Sequence, residues 1–300
     1  MASEKTSKQG RVAGTGSQKL ASARKRAETT KPREAEAGLE REVAFARKAA
    51  LAAGEILRRY YKHGSYKIGS KGYDNPVTTA DLKADRAVKR VLTRAFPGYG
   101  WLSEETADTK ERLKCRRVWI VDPLDGTKEF IKGIPEFCVA IALVDRGVPI
   151  LGITYNPIKD EMFWAARGMG CHLNDGAARV TRTRVLKRAR VLASRSETAR
   201  GEWEVYHGVL MFSPTGSVAY KLALVAGGKA DATFSRTPKN EWDIAAGAAL
   251  VTEAGGMMTD IKGRAMRFNQ KRTLRFGMIA SNGLLHEALV KVASMQNNGR

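Results

Sequence analysis

The sequence predicts an α+β layered fold, with an antiparallel-rich first half (residues 39–185) and an α/β second half (residues 186–300). Three observations carry this. Apolar runs at Val118–Val121, Phe137–Val144 and Val148–Tyr155 follow one another, the last two joined by Asp145-Arg146-Gly147; strands linked by so short a turn pair antiparallel. After Arg190, β-rich and helical stretches alternate, as in layered α/β units. With 300 residues, 43% of them hydrophobic, the chain can bury a large core.

Met1 to Gly38 is polar and almost without large apolar residues, so it reads as a disordered basic tail. Its four acids and missing amphipathic face argue against a transit peptide. A helix follows, with Val43, Ala46, Ala50, Ala53 and Leu57 at helical spacing and His63-Gly64 at its end. Asp74-Asn75-Pro76 is turn chemistry. Thr78 or Thr79 then caps a helix carrying Asp81, Asp85, Val88 and Leu92 on one face. Asp81 sits in the first turn, where the helix dipole favours an acid, so it is a cap or a site residue. Phe96-Pro97-Gly98 closes the helix. Trp101-Leu102 forms a short strand ending at Glu104 and Glu105.

Val118–Val121 is a short buried strand that stops at Asp122. Pro123 cannot donate to a ladder and Gly126 admits unusual backbone angles, so a tight loop should carry Asp122, Asp125 and Thr127. Convergent carboxylates repel unless a cation lies between them, and all-oxygen donors favour a hard ion such as Mg²⁺. The bland alternative is a turn with two solvated acids. Met162–Ala165 and Cys171–Leu173 extend the antiparallel meander. Gly168-Met169-Gly170 lacks the third glycine of a dinucleotide fingerprint, and no P-loop occurs.

In the second half a strand is expected at Arg190–Ala193. Ser213-Pro214-Thr215-Gly216 precedes a helix over Ser217–Ala226. A strand at Ala230–Phe234 leads to a helix from Trp242 to Ala254, ended by Gly255-Gly256 and carrying Asp243 at its N-terminus. A strand at Arg275–Ser281 and a helix at Leu284–Val292 complete the chain.

Cys115, Cys138 and Cys171 lack metal spacing and suggest a reducing compartment without disulfides. Four scattered histidines make no zinc motif. No apolar run has membrane-spanning length, and no secretory signal is evident, so a cytoplasmic location is expected. The net charge is +21. Arg179–Arg190 holds six basic residues and no acid, and Lys262–Arg275 holds six more. Such charge attracts anionic substrates and can bind nucleic acid non-specifically. Without any nucleic-acid module, we read it as a solvated surface with no specific nucleic-acid partner.

The set PVTTAD, WLSEET, WIVDPLDGTKEF, GSVAYK and EWDIAAGAALVTEAGG resembles the inositol monophosphatase superfamily over roughly residues 39–292. DPLDGTKEF and Ser194-Arg195-Ser196 are most similar to its 3'(2'),5'-bisphosphate nucleotidase (CysQ-like) branch. The resemblance implies an α/β/α/β/α sandwich, lithium sensitivity, a monomer or homodimer, and two or three Mg²⁺ ions. It implies metal ligation by Glu104, Asp122, Asp125 and Asp243 and by the Leu124 carbonyl. Thr127 and Asp81 would hold and activate the attacking water, which overturns the plain cap reading of Asp81. Substrate contacts fall on Asp122, Gly126, Thr127, Gly216, Ser217, Lys221 and Asp243. The implied substrate is a small anionic phosphate, first 3'-phosphoadenosine 5'-phosphate, with an inositol or other sugar phosphate as the alternative. A basic nucleic-acid-binding protein on a retired phosphatase fold is disfavoured, since a retired site has no reason to keep repelling acids. Two departures bear on the substrate. Glu197 follows Ser-Arg-Ser where the nucleotidases carry His, and is expected to repel a nucleotide phosphate. Lys221 lies five residues after Gly216, a spacing like the inositol branch.

Overall fold

The computed structural model describes residues 38–72 and 75–295. The expected tail, up to its last residue, and Asp74 of the expected turn lie outside them. The described residues from Leu39 onward group as one compact unit. Its first half comprises α1 (Glu40–His63), β1 (Ile68–Ser70), β2 (Pro76–Thr78), α2 (Thr79–Ala95), β3 (Gly100–Ser103), β4 (Arg117–Asp125), α3 (Thr127–Ile131), β5 (Cys138–Asp145), β6 (Val148–Asn156), β7 (Glu161–Ala166), β8 (Gly170–Leu173) and β9 (Gly176–Ala178). The second half comprises β10 (Arg190–Ser194), α4 (Arg195–Ala199), β11 (Met211–Thr215), α5 (Val218–Ala226), β12 (Ala232–Ser235), β13 (Lys239–Asn240), α6 (Glu241–Glu253), β14 (Met257–Thr259), β15 (Leu274–Arg275), β16 (Met278–Ser281) and α7 (His286–Ala293).

Strands β3 to β9 form one seven-stranded sheet in sequence order, antiparallel except for the β3–β4 pair. A five-stranded sheet has the order β11-β10-β12-β16-β14, with β10 parallel to both its neighbours. The sequence runs explain the stacking. Trp119, Val121, Val139 and Ile141 face α1 and α2, while Val118, Ile120, Ala140 and Ala142 face α5 and α6. The large sheet is therefore covered on both sides, and its strands read as continuous apolar runs. The second sheet lies beyond α5 and α6. Its outer face, with Val191, Ala193 and Phe234, packs on Trp203 and on Leu289 of α7. This is the α/β/α/β/α sandwich. Each fully buried Val, Leu, Ile or Phe contributes about 1.5–3 kcal/mol.

Close approach at the centre requires glycine. A Cβ on Gly152 of β6 would stand 2.2 Å from the Ala246 carbonyl oxygen of α6. At the end of α1, Gly64 takes the left-handed conformation and its N–H reaches the Tyr60 carbonyl at 2.9 Å, as an αL cap does.

Several boundaries differ from expectation. Strand β4 does not stop at Asp122. It continues to Asp125 through a bulge and re-pairs with β5 at Asp125–Cys138; the unpaired step absorbs Pro123, which has no N–H to donate. The expected strand over 275–281 divides into β15 and β16 around Gly277, whose φ is +73°. The β1–β2 hairpin, β11 and β14 were not anticipated. β1 is exposed at all three positions and so has no alternation to read.

Candidate active site

The site gathers at the ends of five elements: β3, β4, and the N-termini of α2, α5 and α6. They surround a cleft of about 510 Å³ whose lining includes Glu104, Asp122, Leu124, Asp125, Gly126, Thr127, Gly216, Ser217, Lys221 and Asp243. Asp81 lies behind Thr127, fully buried.

Asp81 serves two partners. Its Oδ2 accepts from the Thr78 backbone N–H at 2.8 Å and the Thr78 hydroxyl at 2.6 Å, completing a capping box at the start of α2. Its Oδ1 accepts from the Thr127 hydroxyl at 3.0 Å. One carboxylate thus caps α2 and also receives the Thr127 hydroxyl. Burial raises its pKa, against the hydrogen bonds from Thr78 and Thr127. The Thr127 hydroxyl also lies 3.2 Å from the Leu124 carbonyl oxygen.

The bulge in β4 aims two acids into the cleft. Asp122 Oδ1 accepts from the Leu124 N–H at 3.0 Å. Asp125 Oδ2 accepts from the Ser217 hydroxyl at 2.6 Å and the Ala219 N–H at 2.5 Å, so the first turn of α5 is docked on it. Ser217 takes φ +56° to do this, a strained conformation of the kind found at functional sites. Gly126, at φ +102°, starts α3; a Cβ there would lie 2.9 Å from the Glu136 carbonyl oxygen. Asp243 Oδ2 accepts from the Asn240 N–H at 2.9 Å in the capping box of α6.

The electrostatics call for a cation. Burial, then the charges of Glu104, Asp125 and Asp243, drive Asp122 well above the usual carboxylate range. Burial, then Asp125 and Glu104, do the same to Asp243. Burial also raises Asp125, opposed by Ser217, Ala219 and the Lys221 charge. Four acids and the Leu124 carbonyl make an all-oxygen donor set, which fits a hard divalent ion. The acids do not form a closed cage as they stand: among the described residues no three His, Cys, Asp or Glu side chains close on one point. Each acid also meets a donor of its own: Asp122 the Leu124 N–H, Asp125 the Ser217 hydroxyl, Asp243 the Asn240 N–H, and Glu104 an ammonium. Glu104 Oε1 takes the Lys71 ammonium at 2.5 Å, and the same ammonium reaches Glu105 Oε1 at 2.7 Å.

Residues 39–297 match the inositol monophosphatase family. The chain belongs to this family. Its members hydrolyse phosphate monoesters and depend on metal, and the chain is a phosphatase of this kind. The Nus factor SuhB of Xylella fastidiosa is similar, at 35% identity over 263 residues, which cover 84% of this chain and 94% of that protein. The 3'(2'),5'-bisphosphate nucleotidase CysQ of Shigella flexneri is 36% identical over 225 residues, covering 74% and 91%. A Thermotoga maritima inositol monophosphatase superposes with a TM-score of 0.75 at 30% identity, covering 84% of this chain and 96% of that one. Among the described residues no helix is long and apolar enough to cross a membrane.

In this inositol monophosphatase relative, the support behind the acids was hidden in the sequence. Asp85 receives the Ser103 hydroxyl at 2.5 Å and the Thr106 hydroxyl at 2.8 Å, which pins the loop bearing Glu104. Glu136 Oε2 holds the Gly216 N–H at 2.7 Å and the Arg195 guanidinium at 2.6 Å. Neither Lys71 nor Glu136 carries a local signal, because their partners lie 33 and 80 residues away. The expected repulsion from Glu197 is corrected. Its Oε1 takes the Lys239 ammonium at 2.9 Å and the hydroxyls of Ser235 at 2.6 Å and Thr237 at 2.9 Å. Burial would raise its pKa, yet Lys239 and these hydroxyls hold it below the usual range. It is a buried, compensated charge. Lys221 is also buried, and its ammonium donates to the carbonyls of Thr215 at 3.2 Å and Ser217 at 2.9 Å; burial lowers its pKa to about 8.

Proposed function

We propose that this phosphatase is a Mg²⁺-dependent enzyme that hydrolyses 3'-phosphoadenosine 5'-phosphate to AMP and phosphate. Glu104, Asp122, Asp125, Asp243 and the Leu124 carbonyl would hold the metal, two or three ions in all. When bound, Mg²⁺ neutralises phosphoryl charge and acidifies water. Thr127 accepts a hydrogen bond from the attacking water and donates to Asp81 Oδ1, and Asp81 takes up the proton through that relay. Gly126 at the start of α3 and Gly216 and Ser217 at the start of α5 would line the phosphate position together with Asp122 and Asp243, and the N-terminus of α5 favours an anion. No covalent phospho-enzyme is required.

The observation that carries the substrate is the charge of the cleft wall. Outside the carboxylate cluster it presents Arg195, Arg200, Lys221 and Lys239; Arg195 pairs with Glu136, Arg200 with Glu202 and Lys239 with Glu197, while Lys221 donates to the Thr215 and Ser217 carbonyls and has no ion pair among the described residues. A second anionic group on the substrate would be drawn there; a polyol monophosphate has none. One observation favours the inositol phosphate alternative: Lys221, Lys239 and Arg195 already engage carbonyls, Glu197 and Glu136. The test is kcat/KM for 3'-phosphoadenosine 5'-phosphate, AMP and inositol 1-phosphate. The bisphosphate should be preferred by roughly tenfold or more, the worth of one charge-assisted contact. Preference for inositol 1-phosphate would promote the alternative. Three unpaired cysteines among the described residues support a reducing, cytoplasmic setting.

A further inference from the structure

The six-cation stretch Arg179–Arg190 is not a loose solvated run. It leaves β9 and crosses to β10 as an extended segment fixed at alternate residues. The Thr181 hydroxyl donates to Asp231 at 2.5 Å, and the Asn282 amide donates to the Thr183 carbonyl at 2.8 Å. Val180 N–H reaches the Ala254 carbonyl at 3.2 Å, and Arg190 N–H reaches Asp231 at 2.6 Å. With Thr181 and Thr183 tied inward, Arg182 and Arg184 project outward, since successive side chains on an extended chain alternate. A short turn then presents Lys187 and Arg188.

Arg179, Arg182, Arg184, Lys187 and Arg188 are all exposed. None has an acidic partner among the described residues; only Arg190 is paired, with Asp231 at 3.7 Å. Five cations held side by side without counter-charge repel one another, and that cost is relieved by a polyanion. Arg182 and Arg184 are about 6.6 Å apart along the chain, two extended residues. This suits a linear polymer with regularly repeated charge. A membrane surface is a poorer match. The segment is not an amphipathic helix and offers one exposed large apolar side chain, Val185, where peripheral membrane binding uses a broad apolar face.

We propose that this segment is a docking strip for the phosphate backbone of single-stranded nucleic acid, bound without sequence preference. It lies at the start of β10, whereas Ser194 and Arg195 at the other end line the catalytic cleft. Four residue steps along β10, about 13 Å, separate Arg190 from Ser194, so the strip and the phosphatase centre operate independently.

The experiment uses the full chain and a fluorescently labelled mixed-sequence RNA, with binding followed by anisotropy from about 50 to about 200 mM salt. The variant R182Q/R184Q/K187Q/R188Q removes four contacts. The control K48Q/R59Q/K62Q/K291Q removes the same charge from exposed positions elsewhere. Each single-strand phosphate contact adds about 0.7 to the slope of log affinity against log salt. The strip variant should therefore lose about 3 of slope and at least roughly tenfold in affinity at low salt, while the control loses much less. kcat/KM for the phosphomonoester should be unchanged in both. Equal losses in strip and control variants would overturn the proposal in favour of bulk charge. So would a strip variant that retains RNA binding but loses binding to phosphatidylserine vesicles.

Discussion

Asp81→Asn separates the two tasks of one carboxylate. Asparagine keeps an oxygen that can accept from the Thr78 N–H, so the start of α2 survives. The amide at the Oδ1 side is a donor, however, and faces the Thr127 hydroxyl, which now donates to Oδ1 at 3.0 Å. The relay is reversed in polarity and has no proton acceptor. Loss of a positioned general base costs about a hundred- to ten-thousandfold in kcat, or ~3–5 kcal/mol of barrier. The stability terms are smaller and opposed. The helix loses an acid in its first turn, worth about 0.3–1 kcal/mol, and gains by no longer burying a carboxylate whose pKa burial has raised. Tm should move by no more than about 4 °C. The assay is steady-state phosphate release with thermal melts, alongside Thr127→Ser, which keeps the hydroxyl and should stay within about tenfold of wild type. A D81N enzyme with kcat within tenfold of wild type would refute the relay and leave Asp81 as a cap alone.

The repelling acids make a second prediction: Asp122→Asn and Asp243→Asn should abolish turnover yet raise the metal-free melting temperature, and a fall in both variants would show that the cluster is not strained. Asp85→Ala should weaken the apparent Mg²⁺ affinity of turnover by freeing Ser103 and Thr106; an unchanged Mg²⁺ dependence would show that Glu104 is held otherwise. Glu197→Gln should destabilise strongly, by about 3–5 kcal/mol, because it leaves Lys239 without its buried partner; chemical denaturation showing less than about 1 kcal/mol would contradict the ion-pair reading. His286 is buried between Thr259 and Ser281, and burial lowers its pKa. It stays neutral when folded and binds a proton more readily when unfolded, so its contribution is intact above about pH 6.5 and declines as pH falls below that. Tm measured between neutral and mildly acid pH should therefore fall less in His286→Asn than in wild type, and equal slopes would remove His286 from the account.

The parts legible in the sequence were those whose cause is local. Val118–Val121 and Phe137–Val144 are buried on both faces, so each run announces its strand. The helix of Val43 to Leu57 shows its period because one face is core. The N-terminal positions of Asp81 and Asp243 were visible because a cap depends on neighbours three residues away. The bulge from Asp122 to Asp125 was not visible. A proline and glycine suggested a loop, while pairing with β5 across the bulge carried the strand on. The supports contributed by Lys71, Glu136 and Lys239 depend on long-range meetings. Glu197 shows the same limit in reverse: as a letter beside Ser196 it looked like a repelling acid in the pocket, and Lys239, 42 positions on, makes it a structural ion pair.

A carboxylate cluster that serves phosphomonoester hydrolysis as a metal site must lose its turnover with the metal. The direct measurement is phosphate release by chelator-stripped protein, from 3'-phosphoadenosine 5'-phosphate and inositol 1-phosphate, as Mg²⁺ is restored. Turnover of both substrates should vanish without metal and recover saturably with Mg²⁺, and Asp122→Asn should show no recovery. Metal-independent release, or full recovery in that variant, would contradict the metal site.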